Sequence, residues 1–429
     1  MKRRIKEQSI IFYSVAKWVF LSVIVGCMVG ASTAVFLKAL NWSLEAAGLH
    51  KHYFLLLPLA LFLSALIIKF FAPDAEGHGT EKVIEAIHKD NGIIKAAVVP
   101  VKLVATIITI ALGGSAGKEG PCAQIGAGIA STFARLFRFD VHDRKKLVIC
   151  GISAGFASVF GTPIAGALFG VEVLFVGAIL YDVMLPSFIA GIISYNVSSA
   201  LGICYFHHAL TMPLNFSAVL FYQIILAGVF FGLCSFFLIE MLSIGKKVSE
   251  SIKIWKPLKG FIGGAVLIVV ALLFSTDYLG LGLNSIESSL NGQPLPWYAF
   301  MLKSFTTSMT LNFGGSGGIV TPIFFVGSSA GNVFAQVLHL DIILFSALGF
   351  VGLLAGAANT PIAASIMAIE LFGPQIAPYA ALVCVISFLM TGHRSVYPSQ
   401  ILAFKKSKLI DIELGKEIEN SRPRFRLFH

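Results

Sequence analysis

Charge is scarce in this chain. Of 429 residues, 22 are Asp or Glu and 32 are Lys or Arg, together 13%, while 56% are hydrophobic. A length that would suit two or three soluble domains is excluded from that class, because so few polar side chains cannot cover so much apolar volume. The mean hydropathy of +0.84 is that of a polytopic membrane protein, with the lipid bilayer as its partner. The six cysteines, Cys27, Cys122, Cys150, Cys204, Cys234 and Cys384, lie scattered in apolar stretches without CxxC or finger spacing and are read as small core residues. HExxH does not occur, and His207-His208 has no third ligand, so neither a metal nor another cofactor is expected. The first apolar run, residues 13–40, is too long for a signal-peptide core and lacks a clean cleavage site, which predicts a retained membrane helix. The net charge of +10 comes from short clusters, KRRIK (2–6), DRKK (143–146), KKSK (405–408) and RPRFR (422–426), at the ends and in connectors. That distribution argues against nucleic acid and places both termini in the cytoplasm by the positive-inside rule.

Against this background one stretch stands out. GGSAGKEGP (113–121) sets glycines, Lys118 and Glu119 between the apolar segments 101–112 and 122–133. A carboxylate in such surroundings is costly, and therefore a functional suspect. The glycine break entering a helix at Gly120-Pro121 exposes backbone N–H groups and the positive end of a helix dipole, where an anion is the natural guest. Shifted by 201 residues, GGSAGKEGP falls on GGSGGIVTP (314–322), Gly126 on Gly327, and Ala154-Gly155 on Ala355-Gly356. After a three-residue shortening TPIAGALFGVEV (162–173) lies on TPIAASIMAIEL (360–371), which pairs Glu172 with Glu370. Upstream, GHGTEKVIEAI (77–87) aligns loosely with GLGLNSIESSL (280–290). Two halves interrupted by glycines at corresponding places point to a transport site at a repeat interface.

Read in order, apolar segments follow at 53–71, 97–112, 121–137, 147–159, 162–179, 184–201, 217–243, 258–274, 297–312, 322–338, 342–357, 361–372 and 376–390, with a helix expected over EKVIEAIHKDNG (81–92). Several are too short to cross about 30 Å of hydrocarbon as straight helices. The polar connector 205–216 is the expected seam between the halves, and GKKVSESIKIWK (245–256) reads as a basic amphipathic segment on the cytoplasmic surface. One integral membrane domain over 1–402 is expected, with repeats over about 50–203 and 217–402 and a short basic cytoplasmic tail over 403–429.

Glu119 can occupy an anion's place when ionised and carry a proton when neutral. A merely structural pairing with Lys118 is the competing explanation, but the repeat has Val320 at the equivalent position, and pairing would not need the acid in one half only. The breaks at 77–79, 113–121 and 317–322 supply three helix N-termini; if they converge, backbone N–H groups can replace part of an anion's hydration. Tyr397 is a hydroxyl donor near the end of the last span, where interfacial anchoring is the ordinary role. Glu172 and Glu370, being symmetry-related, are as well suited to capping a neighbouring helix as to ion handling. GxSxG occurs at 113–117, 151–155 and 314–318, leaving a membrane-embedded serine hydrolase using Ser115 or Ser153 as a distant alternative. AGKEG departs from a phosphate-binding loop, with Glu119 in place of Ser/Thr and Leu112 in place of the first glycine.

From about residue 15 to 402 the chain resembles the CLC family of chloride channels and chloride/proton antiporters. GKEGP (117–121) is similar to the family's GREGP, GGIVTP to its GxFxP region, GHGTE to its GSGIP, and Tyr397 to its anion-coordinating tyrosine. The resemblance implies an all-α membrane fold of two inverted-topology repeats with short, tilted and re-entrant helices. It also implies a homodimer in the plasma (inner) membrane with one anion pathway per subunit. Carried over by residue, Glu119 resembles the gating and proton-relaying glutamate, and Ile319 and Val320 the backbone N–H donors. Lys118, Gly120, His78 and Gly79 then belong to the anion site, with His78 where many members have serine and Lys118 where arginine is usual. The internal proton acid of the antiporters falls on Val173, which leaves Glu172 or water to serve the inner proton route. The expectation is proton-coupled chloride antiport; fluoride/proton antiport and a passive voltage-gated type of chloride channel are the alternatives.

Overall fold

The computed structural model describes residues 2–210 and 217–421 and the backbone of 424–425; residues 211–216 of the expected seam and most of the RPRFR cluster lie outside the described residues. Helices account for almost all of the ordered structure. The first eight are α1 (Lys2–Gly48), α2 (Leu57–Phe71), α3 (Thr80–Lys89), α4 (Val98–Ala111), α5 (Glu119–Leu136), α6 (Val141–Phe160), α7 (Pro163–Glu172) and α8 (Tyr181–Ala200). After the seam come α9 (Ala218–Ser251), α10 (Lys259–Leu273), α11 (Leu283–Leu290), α12 (Ala299–Asn312), α13 (Val320–Leu338), α14 (Ile342–Ala358), α15 (Pro361–Phe372) and α16 (Ala377–Met390). α1 packs on α4, α5, α6 and α8, and α9 packs on α12, α13, α14 and α16, so the same arrangement of eight occurs twice.

Among the described residues, six helices are long and apolar enough to cross a membrane. The 10 residues of α7 reach only about 15 Å at the helical rise, half of what a bilayer core requires. Such a helix is tolerated because protein surrounds its ends. Local chemistry sets the boundaries. Asp140 accepts a hydrogen bond from Asp143 N (2.8 Å) to start α6, and Asp341 accepts from Leu344 N (2.7 Å) to start α14. Gly161 closes α6 with φ +74°, a left-handed conformation that glycine adopts without strain.

α9 is longer than the sequence pattern suggests. It absorbs residues 245–251 of the expected basic surface segment. Gly245 lies against the Ser308 side chain, and Ser249 Oγ donates to Asn312 O (2.7 Å), so the end of α9 is fastened along α12.

The tail is more than a polar appendage. β1 (Phe175–Val176) pairs in parallel with β2 (Ile401–Leu402), and Leu402 N donates to Lys416 O (2.9 Å). Beyond them β3 (Ile410–Asp411) pairs antiparallel with β4 (Arg424–Phe425). Ile412 is buried with Val176, Phe388 and Leu402. Lys406 Nζ donates to Phe388 O and to Asn359 Oδ1, both at 2.6 Å, placing a cation where α14 and α16 end.

Helix pairs close through glycine. A Cβ on Gly151 would lie 2.6 Å from Gly126 O between α5 and α6, and a Cβ on Gly327 would lie 2.2 Å from Gly349 O between α13 and α14. Gly327→Ala is therefore expected to force α13 off α14 at a cost of about 1–3 kcal/mol, read as a lower melting temperature in detergent. Gly48→Ala, whose Cβ meets nothing within 4 Å, should melt no lower than the wild type.

Candidate anion and proton site

At the centre of the molecule the two glycine-rich loops grip each other. Gly117 N donates to Gly318 O (2.7 Å) and Gly318 N donates to Gly117 O (2.6 Å), an antiparallel bridge between residues 201 apart. Hydroxyls repeat the exchange below it. Ser115 N donates to Thr310 Oγ1 (2.9 Å) and Ser316 N to Thr109 Oγ1 (3.0 Å). Ser115 Oγ lies 3.0 Å from Thr307 Oγ1, and Ser316 Oγ 3.2 Å from Thr106 Oγ1. Ser115 is thus spoken for by threonines, and Ser153 Oγ donates to Ala167 O (3.3 Å), so neither GxSxG serine is joined to a histidine as a nucleophile's base would be.

The bridge brings the expected breaks together. A Cβ on Gly120 would sit 2.1 Å from His78 O, one on Gly79 would sit 2.4 Å from Gly120 O, and one on Gly318 would sit 2.7 Å from Gly120 N. Gly79 has φ +75° directly before α3. The starts of α3, α5 and α13 therefore converge, with Ile319 immediately before α13 and Val320 as its first residue.

Glu119 is fully buried and does not pair with Lys118. Its carboxylate crosses to the second half, where it accepts from Thr321 N (3.1 Å) and from the Thr321 hydroxyl. A negative group is held at the N-terminus of α13 by one backbone and one side-chain donor, as an anion would be. Lys118 is half-buried beside it. Thr321 escaped the sequence analysis, because one threonine after GGIV carries no charge and breaks no pattern.

A second group of polar atoms lies nearby. Tyr397 is completely buried, so it is not an interfacial anchor, and its ring stands 5.8 Å from that of His78. Tyr397 Oη, His78 Nδ1 and Thr80 Oγ1 are all buried without a hydrogen-bond partner in the protein. The charges of Glu119 and Glu81 both act on the Tyr397 hydroxyl. Three buried groups able to donate, brought together without partners, are the requirement for holding an anion.

Two lysines hold the frame of this site. Lys102 Nζ donates to Gly77 O (2.6 Å) and Ala75 O (3.1 Å), fixing the loop that carries His78. Lys303 Nζ makes the equivalent bonds to Gly280 O (2.8 Å), Tyr278 O (3.3 Å) and Leu279 O (3.4 Å). Both are fully buried. Neither lysine breaks the pattern of its helix in the sequence, although the two fall on each other at the same shift of 201 that relates the glycine loops.

Glu172 and Val173 are placed elsewhere. Glu172 accepts from Ile362 N (3.0 Å) and Ala363 N (2.8 Å) at the start of α15. Glu370 accepts from Ile164 N (2.9 Å) and Ala165 N (2.8 Å) at the start of α7. Each half thus caps a helix of the other, the capping alternative that their symmetry allowed. Val173 is buried and apolar, and its carbonyl accepts from Gln400 Nε2 (2.7 Å).

Comparison with known proteins agrees with this architecture. The voltage gated chloride channel family profile matches residues 59–392. A chloride/fluoride channel protein of Pseudomonas syringae pv. tomato is 36% identical over 415 residues, 94% of this chain and 91% of the relative. An H(+)/Cl(-) exchange transporter, ClcA, of Klebsiella pneumoniae is 26% identical over 385 residues, 82% of this chain and 80% of the relative. Among solved structures, that of a CLC-type fluoride/proton antiporter superposes with a TM-score of 0.87 at 29% identity, covering 91% of this chain and 99% of that one. A slow cyanobacterial Cl-/H+ antiporter shares the fold, with a TM-score of 0.76 at 21% identity over 87% of this chain and 94% of that one.

The two bonds that Glu172 accepts predict a stability effect without a transport effect. Glu172→Ala removes both acceptors from the α15 terminus and should destabilise the protein by about 2–4 kcal/mol, seen as a lower melting temperature in detergent. Unchanged melting with lost proton movement would instead give Glu172 a proton-carrying role.

Proposed function

We propose a transport mode for a chain that belongs to the voltage-gated chloride channel (CLC) family: it exchanges a halide for protons, with Glu119 as the shared element. The protein is an integral, multi-pass membrane protein that carries out CLC-type anion transport. The observation that carries the exchange reading is the position of the Glu119 carboxylate on Thr321 N and the Thr321 hydroxyl. Those donors serve a carboxylate or a halide, one at a time. Ionised, Glu119 fills the place itself. Protonated, it loses the charge that holds it there, a halide takes the donors, and the neutral side chain swings away with its proton. Because one site alternates between carboxylate and halide, proton and anion move in opposite directions.

The anion's other ligands in this reading are Tyr397 Oη, the Ile319 and Val320 N–H groups and His78 Nδ1. Gly79 and Gly120 permit the close approach, and Lys118 supplies positive potential at the entrance. Chloride is the halide expected from the sequence. One observation favours fluoride as a second reading: the unpartnered donors include O–H and imidazole N–H groups, which suit a small, strongly basic anion better than a large diffuse one. The named activities of the Pseudomonas relative and of the fluoride/proton antiporter support it. We place both termini in the cytoplasm and the protein in the plasma (inner) membrane as a homodimer, one pathway per subunit. Residues 1–402 form the membrane unit in this reading, and the repeats are α1–α8 and α9–α16, with the first beginning at α1 rather than near residue 50.

Proteoliposomes loaded with chloride, then fluoride, test the mode. Halide efflux is expected to drive protons inward against their gradient, and Glu119→Gln to abolish proton movement while efflux continues. Efflux with no proton movement in the wild type would make the protein a passive channel, and intact exchange in Glu119→Gln would remove the residue from the cycle. Tyr397→Phe should weaken binding of the transported halide about tenfold, the worth of one hydrogen bond of about 1.4 kcal/mol, measured by titration calorimetry. Unchanged affinity would take the hydroxyl out of the site.

A further inference from the structure

An exchanger needs a proton route between Glu119 and the solution on the tail side, and neither Val173 nor Glu172 is free to serve it, which leaves water or another group. Val173 has no titratable group, and Glu172 spends both carboxylate oxygens on the start of α15. Another carboxylate lies on the tail side of Tyr397. Glu81, in the first turn of α3, accepts through Oε1 from Ser399 N (3.0 Å) and Ser399 Oγ (2.6 Å), two residues beyond Tyr397. Its other oxygen, Oε2, is buried without a partner. A carboxylate kept only to fasten the 397–400 loop has no use for a shielded, unsatisfied oxygen, which costs free energy unless something occupies it part of the time. A proton satisfies it.

We infer that Glu81 is the inner proton acceptor of the transport cycle, taking protons from the tail-side solution and passing them toward Glu119 along the Tyr397–Thr80 side of the anion site. Rest and route are consistent with the surroundings. The residue as a whole is half-buried, with Oε2 itself shielded from solvent. One helical turn on, Glu85 lies at the surface paired with Lys82, putting a charged rim beside the entry. Inward lie the Tyr397 hydroxyl and, beside it, Thr80 Oγ1, two buried hydroxyls that no other group of the protein holds. The charged groups acting on Glu81 are Lys82 and Glu85 from its own helix; Lys82, Lys102 and Lys246 act on neighbouring His78. In the transfer Glu81 binds one proton and later gives up one proton. Each hydroxyl crossed accepts one and releases one, and Glu119 ends as the neutral acid that leaves the Thr321 donors to the halide.

This assignment rests on the exchange reading, and one set of vesicles separates the two. Glu81→Gln keeps an oxygen for Ser399 but cannot carry a proton; Ser399→Ala removes the hydroxyl half of the fastening but keeps the backbone N–H donor and the acid. Proton uptake per halide released is expected to fall at least tenfold in Glu81→Gln with halide efflux and melting temperature retained. Glu81→Asp should restore part of it, and Ser399→Ala should exchange like the wild type. Wild-type exchange ratios in Glu81→Gln would overturn the inference while leaving Glu119 in place. Equal loss of exchange in Ser399→Ala would reduce Glu81 to a fastening and overturn it as well. No proton movement in the wild type would sink both readings together.

Discussion

Two backbone hydrogen bonds, Gly117 to Gly318 and Gly318 to Gly117, set the geometry on which everything else depends. They are possible only because no side chain stands between the loops: a Cβ on Gly317 would lie 2.3 Å from the Ala116 Cβ. With the loops locked, α5 and α13 begin at the same place from opposite sides, and the first residue of one can reach the second residue of the other. Glu119 on Thr321 is the result. A repeat that only packed its helices side by side would bury apolar surface equally well, but it would not aim two helix N-termini at one point.

Many buried polar groups of the interior find partners across the two halves, as lipid requires. Threonines 106, 109, 307 and 310 answer the serines and amides of the opposite loop, and Lys102 and Lys303 gather carbonyls that α3 and α11 leave outside their own ladders. Ser131 accepts from Ile94 N and donates to Gly92 O, while Asn332 does the same for Leu295 N and Gln293 O in the second half. Single unpartnered atoms occur at Thr33, Gln124, Thr162, Ser187, Thr360 and Ser387, whereas those of His78, Thr80, Glu81 and Tyr397 lie together. Their clustering, more than any single residue, is what the proposed ion and proton pathway rests on.

Much of this was legible in the sequence, for definite reasons. Glycines and an acid inside an apolar stretch are rare enough to locate Glu119, and a repeat shift survives even where side chains diverge, so the pairing of 113–121 with 314–322 could be seen without coordinates. The capping by Glu172 and Glu370 was foreseeable as an alternative because symmetry placed both in equivalent helices. Other residues were hidden by ordinary appearance. Thr321 and Thr80 look like any hydroxyl in a membrane helix. Glu81 looks like a favourable acid at a helix start, and only its contact with Ser399, 318 residues away, gives it a place in the site. The packing around the tail was equally illegible: the strands are two residues long, and β2 finds its partner β1 far away in the chain.

The exchanged caps bear on how the molecule is made. The donors at Ile164 and Ala165 wait for an acceptor 206 and 205 residues downstream, and Glu172 waits for amides that emerge 190 and 191 residues after it. While the ribosome is still synthesising the second half, the first sits in the bilayer with a bare helix end and a buried carboxylate that nothing yet answers. Neither half is a finished folding unit, and the interval before α15 arrives is when insertion machinery or headgroup water must stand in for the absent partner.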